Sequence, residues 1–455
     1  MTCRAFVVAG TATGVGKTSV ALGLLRAFAA GGRVVRSFKV GPDFIDPALH
    51  RAASGEWGRN LDGWLLDPAT NRRLFRRRCA GADVAVVEGV MGLYDGIGPG
   101  ERIGSTAEMA SLLGLPVVLV IDAWTASRSV GAVAEGFVAF ESDVDVAGVV
   151  LNRVASEAHR ETAVRAVRDG AGVPVLGAIP RDERATIPER HLGLHRPSEL
   201  DVEPQLEALG RLVAAHVDLD RLSEEVAEPV AEPPDTADPA RRVDADVRIG
   251  VPVDRAFSFY YRHNFDLLRQ NGAELVQFST FTDDLPDDLD GLYIGGGYPE
   301  VYAEPLADNT SLRRDIRALA RSGRPILAEC GGLMYLADAL ESGSGERYPM
   351  CGVLGGITTE QAQSTIGYAE VAPTGAAPFF DDVDRARGHL FHTSDWVDGS
   401  APEGTSPAYR LWRPGSGERS REGVVREAVL ASYVHLHFGS RPGYARSFVE
   451  ACRRR

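Results

Sequence analysis

The chain of 455 residues has a formal net charge of −14, with 44% hydrophobic and 25% charged residues. Such a composition is ordinary for a soluble protein of about two to four domains. The negative charge argues against non-specific nucleic-acid binding, so a polyanionic substrate would have to meet a local basic patch.

Lys and Arg total 49, yet only Lys17 and Lys39 are lysines. Both therefore read as places where a planar guanidinium cannot replace a compact ammonium. Five unclustered cysteines (Cys3, Cys79, Cys330, Cys351 and Cys452) argue against a disulfide framework or a zinc site, and for the reducing cytoplasm. The longest apolar stretch, Leu112 to Ile121, is about half of a membrane span.

In chain order, Ala5–Ala9 reads as a first strand leading into Gly10-Thr-Ala-Thr-Gly-Val-Gly-Lys-Thr18, and not as a secretion signal. A helix over Thr18–Ala30 stops at Gly31-Gly32, a C-terminal glycine signal. Further strands are expected at Arg33–Phe38, Val84–Val87, Val117–Ile121 and Ala147–Leu151. Alternating strands and helices imply a parallel sheet with helices on both faces. From Ser223 to Asp246 the chain holds four prolines and eight acidic residues, and reads as an extended, solvated linker. The strand rhythm then restarts at Val247–Val253, Leu275–Phe278, Gly291–Ile294, Pro325–Ala328 and Leu430–Val434. The expectation is two doubly wound α/β domains, residues 1–222 and 247–455, joined by the linker 223–246.

The glycine-rich loop after the first strand is a phosphate cradle of backbone N–H groups at a helix start. Thr11, Gly14, Val15, Gly16, Lys17 and Thr18 are its candidate ATP contacts, with Lys17 on the outer phosphates and the Thr18 hydroxyl on Mg²⁺. The loop departs from the strict pattern because Thr11 stands where a glycine is usual. Glu88 ends an apolar strand beside this loop and is placed to bind Mg²⁺ or its waters. Asp43 and Asp46, in Lys39-Val-Gly-Pro-Asp-Phe-Ile-Asp-Pro47, are a second acidic pair that alone reads as turn chemistry.

The second domain carries Ile326-Leu-Ala-Glu-Cys-Gly-Gly-Leu-Met-Tyr-Leu336, a strand, a sharp turn and a helix with Cys330 at the turn. The helix start is expected to lower the thiol pKa and favour a nucleophilic thiolate. Backbone N–H groups of Gly296, Gly297 and Gly331 are candidate oxyanion donors. A base is sought in Ser432-Tyr-Val-His-Leu-His-Phe-Gly439, where His435 and His437 share one strand face.

With these motifs the whole chain resembles the cobyrinic or hydrogenobyrinic acid a,c-diamide synthases, glutamine-dependent enzymes of corrin biosynthesis. Arg59-Asn-Leu-Asp62, Gly104-Ser-Thr-Ala-Glu108, Gly148–Arg153, Glu189-Arg-His-Leu-Gly193 and Phe257-Ser-Phe-Tyr-Tyr261 add to the likeness. The resemblance implies a dethiobiotin synthetase-like ATP-binding domain, whose relatives share the loop threonine, followed by a class I glutamine amidotransferase domain. It implies metal, phosphate and substrate-carboxylate roles for Asp43, Glu88 and Asp95: Asp43 and Glu88 join Thr18 as candidate metal ligands, and Lys39, Asp46 and Asp95 are expected near the transferred phosphate or the substrate carboxylate. It makes Cys330 the nucleophile and His435 its partner. Many class I amidotransferases have an acid two places after that histidine; here it is His437. The family's Arg-Gly-His-Glu-Phe-His-Tyr-Ser is Arg387-Gly-His-Leu-Phe-His-Thr-Ser394 here, so Leu390 and Thr393 replace an acid and a phenol.

The implied reaction uses ATP, Mg²⁺ and glutamine on a corrinoid, hydrogenobyrinic or cobyrinic acid. ATP activates an acetate carboxylate as an acyl phosphate. Cys330 releases ammonia from glutamine, and the ammonia passes between the domains to displace phosphate. Arg387, His389 and His392 are expected to approach the polyanionic substrate. Neither membrane nor nucleic acid is an expected partner; a homodimer is one assembly to expect. Two other readings stand beside this one. Cobyric acid synthase shares both domains, and a nucleotide-driven partitioning switch shares the first. Such switches add a second lysine near the loop start, where this chain has Ala12.

Overall fold

Near-continuous apolar runs cannot face water on either side, and in the first unit they build a parallel sheet covered by helices. The computed structural model describes residues 2–454, apart from 99, 188, 191–192, 195–201, 232–244, 381–383, 416 and 418. The chain divides into two compact units, Met1–Asp235 and Thr236–Arg455.

The strands of the first unit are β1 (Arg4–Gly10), β2 (Val35–Val40), β3 (Arg59–Leu61), β4 (Val84–Glu88), β5 (Val117–Asp122), β6 (Val146–Val154) and β7 (Val175–Pro180). They lie in the order β3-β2-β4-β1-β5-β6-β7, every neighbouring pair parallel. Connections leave β1 and its neighbour β4 towards opposite sides of the sheet, which opens a crevice at the carboxyl end of β1. The helices that bear on this crevice are α1 (Lys17–Ala30) and α2 (Asp46–Ser54).

The expected linker begins inside this unit. Leu222–Val226 forms a turn of π-helix, and Glu228–Pro229 pairs antiparallel with the start of β1. Leu222, Ala227 and Val230 are the reason: these apolar side chains are buried among the acidic residues. Residues 232–244 of the expected linker lie outside the described residues.

In the second unit, Ala273–Phe278, Val247–Pro252, Gly291–Ile294, Ile326–Glu329 and Val429–Ser432 form five adjacent parallel strands. The sheet then continues antiparallel through Arg419–Arg426, Ser406–Trp412 and Ile357–Pro373. The stretch expected as one strand, Leu430–Val434, is divided at Tyr433. Val434–Leu436 gives up the neighbours of Val429–Ser432 and pairs instead with Ala386–Trp396, which joins the same sheet through Ile357–Pro373. No helix among the described residues is long and apolar enough to cross a membrane. All five cysteines are buried and free of disulfides.

Candidate active sites

The phosphate loop lies at the carboxyl end of β1. Gly16 precedes α1 with φ 91° and provides no side-chain cap, so the first-turn amides of the helix face the loop. A Cβ on Gly16 would fall 2.1 Å from Asn152 Nδ2. That same Asn152 amide donates to Val15 O at 2.9 Å and ties the loop to the end of β6. Gly14 is exposed, Val15 and Lys17 are buried, and Thr18 is half-buried. Thr11 differs from the others: its N–H donates to Val120 O at 3.2 Å, extending the β1–β5 ladder. Its N–H is therefore not one of those left to meet a nucleotide. Burial, and then the charge of Lys39, hold the Lys17 pKa below its ordinary value.

Glu88 is fully buried and collects three partners. Thr18 Oγ1 donates to Oε1 at 2.6 Å, Lys39 Nζ donates to Oε1 at 2.9 Å, and His50 Nε2 lies 2.7 Å from Oε2. Burial works against its charge, but Lys39, His50 and Thr18 hold the carboxylate well below its usual range. Lys39 also donates to Gly89 O at 3.0 Å and pairs with Asp46 Oδ2 at 2.6 Å. Its three ammonium hydrogens thus all end on protein oxygens, and none is left for a phosphate. Burial alone would lower its pKa; Asp46 and Glu88 more than offset this and raise it. Asp46 is itself raised, by burial first and then by the charges of Asp43 and Glu88. Breaking such a buried pair by deleting one partner costs about 3–5 kcal/mol. Asp43 Oδ1 accepts the N–H groups of Ile45 and Asp46 at 2.7 and 2.9 Å and so holds the start of α2. Exposed Asp95 accepts the Gly92 N–H at 2.8 Å.

These residues suit Mg²⁺ in one manner only. Among the described residues, no group of three or more His, Cys, Asp or Glu side chains could hold a metal ion by itself. The donor set is the Thr18 hydroxyl with Glu88 behind it, which fits an ion held mainly by phosphate oxygens and water. A cavity of about 550 Å³ opens beside the loop. Gly14, Gly16, Lys17 and Thr18 line one side, and Asn152, Arg153, Arg181 and Trp124 line the other. The Arg181 guanidinium lies 5.0 Å over the Trp124 ring.

In the second unit, Cys330 stands between the strand Ile326–Glu329 and the short helix Gly331–Leu336, with φ 50° and ψ −107°. A non-glycine residue at positive φ is strained, and such strain collects at functional sites. The Cys330 N–H donates to Ser432 O at 2.7 Å, and its Sγ lies 3.7 Å from Phe391 O. The expected lowering of the thiol pKa is overturned: burial, and then Glu300, push it well above the ordinary value. His435 is fully buried, and burial, followed by His389 and His392, lowers its pKa to about 3. Both shifts favour the uncharged forms, a thiol and an imidazole, before substrate binds.

Gly296 joins the two. A Cβ there would lie 2.3 Å from His435 Cε1 and 3.3 Å from Cys330 Cβ. A Cβ on Gly331 would lie 3.1 Å from the Gly297 nitrogen, so the two candidate oxyanion segments run side by side. Gly296→Ala is expected to cut glutamine-dependent turnover at least about 100-fold while ammonia-dependent turnover is kept. Parallel assays with the two nitrogen donors check this; equal losses with both would refute it.

Two domain-family models match the chain, one within each unit. Residues 6–194 match the CobQ/CobB/MinD/ParA nucleotide binding domain, and residues 248–443 match the CobB/CobQ-like glutamine amidotransferase domain. The cobyrinate a,c-diamide synthase of Syntrophotalea carbinolica is 42% identical over 457 residues, covering 100% of this chain and 99% of the relative. The hydrogenobyrinate a,c-diamide synthase of Streptomyces coelicolor is 40% identical, covering 98% and 97%. The chain belongs to the cobyrinate/hydrogenobyrinate a,c-diamide synthase family.

Two departures noted in the sequence now have surroundings. Leu390, where this family usually has an acid, is buried and stands opposite Val434 in the pairing of the two strands. Thr393 lies on the same strand, Ala386–Trp396, between His392 and Ser394. His389 and His392 do not fit the expected cationic role. Burial lowers the His389 pKa to about 4 and also lowers that of His392, which stacks on Tyr433 at 4.1 Å. The side chain of Arg387 is 43% exposed, with Glu370 Oε2 3.9 Å away. His437 accepts the Gly439 N–H on Nδ1 at 3.1 Å and packs 4.6 Å from the Tyr261 ring. In the family stretch Glu189–Gly193, residues 191 and 192 lie outside the described residues.

Sequence reasoning passed over His50, Asn152 and Glu329. Asn152 had the clearest signal, as a polar residue closing the apolar run of β6.

Proposed function

We propose that this protein converts the a and c acetate side chains of hydrogenobyrinic or cobyrinic acid to amides, using ATP and glutamine. The observation that carries this reading is the pairing, in one chain, of a lysine-bearing phosphate loop with a cysteine elbow facing a neutral histidine. Full-length relatives named for that reaction support it.

In the first unit, the loop amides and Lys17 receive the ATP phosphates, and the base lies in the cavity bounded by Asn152 and Arg181. Mg²⁺ bound at Thr18 would neutralise charge on the β- and γ-phosphates. Lys39 and His50 keep Glu88 ionised and fixed, so the Thr18 hydroxyl keeps one orientation. A substrate carboxylate attacks the γ-phosphorus, giving an acyl phosphate and ADP.

In the second unit, Cys330 gives its proton to His435 and attacks the side-chain carbonyl of glutamine. Amides of Gly297 and Gly331 receive the oxyanion, and the imidazolium returns the proton to departing ammonia. Water then cleaves the thioester to glutamate. Ammonia displaces phosphate from the acyl phosphate, leaving the amide and inorganic phosphate.

The test is purified protein with ATP, Mg²⁺ and glutamine, offered each corrinoid separately and followed by mass spectrometry. The expected product is the diamide, with one ADP formed per amide and loss of turnover on chelation. Absence of product from both corrinoids would refute the reading. Amidation running past the diamide would favour a cobyric acid synthase instead.

A further inference from the structure

The strand that carries His435 is where the chain changes partners. Val429–Ser432 lies between Ile326–Glu329 and Arg419–Arg426, whereas Val434–Leu436 pairs with Ala386–Trp396. A buried strand that changes partners within a sheet needs acceptors and donors for the peptide groups the new pairing does not reach. Glu329 Oε1 accepts the Leu436 N–H at 3.0 Å. Asn264 donates from Nδ2 to Leu436 O at 2.7 Å and accepts the Phe438 N–H on Oδ1 at 2.8 Å. The Tyr293 hydroxyl joins the two side chains, donating to Glu329 Oε2 at 2.9 Å and lying 3.4 Å from Asn264 Nδ2.

Glu329, Tyr293 and Asn264 are all buried, and both hydrogen bonds to the Glu329 carboxyl come from neutral donors. Burial pushes this carboxyl up to about 8, against the opposing pull of the Leu436 and Tyr293 bonds. A buried carboxyl without a cationic partner is costly, and a packed apolar side chain would serve stability better. Its place in the chain gives it another use. Glu329 precedes the nucleophile, and its hydrogen-bond partner Leu436 follows His435. The position two residues beyond His435, where an orienting acid could sit, holds His437, whose Nδ1 is occupied by Gly439.

We propose that Glu329 is a positioning residue for glutamine cleavage: its carboxyl locks the Leu436 peptide to the nucleophile strand and so holds the His435 imidazole at the Cys330 thiol. This rests on the reading that Cys330 and His435 cleave glutamine.

The test compares Glu329→Leu, Glu329→Gln and Tyr293→Phe in the full chain, with glutamine and with ammonium chloride as nitrogen donors. Glu329→Leu is expected to lower kcat with glutamine on the order of 100-fold, the cost of misplacing a reacting group by about 1 Å. The KM for glutamine and the ammonia-dependent rate should stay within about threefold, since glutamine binding and the first unit are untouched. Gln can accept from Leu436 and donate to the Tyr293 oxygen, so Glu329→Gln is expected to keep about a third or more of the rate.

Full glutamine turnover by Glu329→Leu would overturn the proposal. So would equal damage from Gln and Leu, which would make charge, not position, the active property. Tyr293→Phe removes one hydroxyl and little volume, and keeps the question decidable even where Glu329→Leu fails to fold. A glutamine-specific fall of about fivefold supports the proposal, and an unchanged rate overturns it. Cys330→Ala in the same assay separates the two levels. If that variant still uses glutamine, the underlying reading fails, whatever Glu329 does.

Discussion

Replacing Cys330 by alanine is expected to leave a synthetase that runs on ammonia and ignores glutamine. The thiol is the single atom group at the elbow able to form a thioester, and it faces a neutral imidazole across Gly296. Loss of a nucleophile of this kind costs on the order of 10⁴-fold or more in turnover. In the proposed reaction, however, the acyl phosphate is made by the other unit, and ammonia added as a salt would meet the same intermediate. The measurement is the diamide formation rate with glutamine and with an ammonium salt at equal total nitrogen. Glutamine-dependent turnover within tenfold of the parent protein would sink the assignment of Cys330.

The second large effect is expected at Lys17. Lys17→Arg should abolish amidation with either nitrogen donor, by on the order of 10³-fold. The side chain is 8% exposed, in a loop whose backbone is held at Gly16 against Asn152 and at Val15 by the Asn152 amide. A guanidinium is wider than an ammonium and directs its hydrogens in a plane, so it cannot reach the outer phosphates without moving the loop. Burial already disfavours the Lys17 charge, and bound phosphates would supply a countercharge that favours it. ADP release measured with glutamine and with ammonia checks the prediction; substantial turnover of Lys17→Arg would show that charge alone suffices there.

The parts legible in the sequence are those whose chemistry is written within a few consecutive residues. The phosphate loop and the cysteine elbow are both of this kind, each a strand, a glycine turn and a helix start. Contacts that complete the sites join distant positions: Asn152 and Val15 are 137 residues apart, His50 and Glu88 38, and Glu329 and Leu436 107. No local pattern announces such pairs. The thiol of Cys330 shows a second limit. Its position at a helix start was visible, but full enclosure reverses the expected shift. Leu430–Val434 shows a third, because an unbroken apolar run holds no mark of the change of partner at Tyr433. The long strand Ile357–Pro373 escaped notice because much of it is exposed and lacks a regular inward–outward alternation.

The enclosure of both lysines has a chemical consequence. The chain has two side-chain amines, and both are buried in the nucleotide-binding unit. The amine of Lys39 is shared among three oxygens and held charged, which leaves it no free electron pair. Lys17 has depressed basicity and borders an open cavity. Among the lysine side chains, that of the phosphate loop is the one an acylating reagent can find, since the other is enclosed and every remaining basic side chain besides histidine is an arginine.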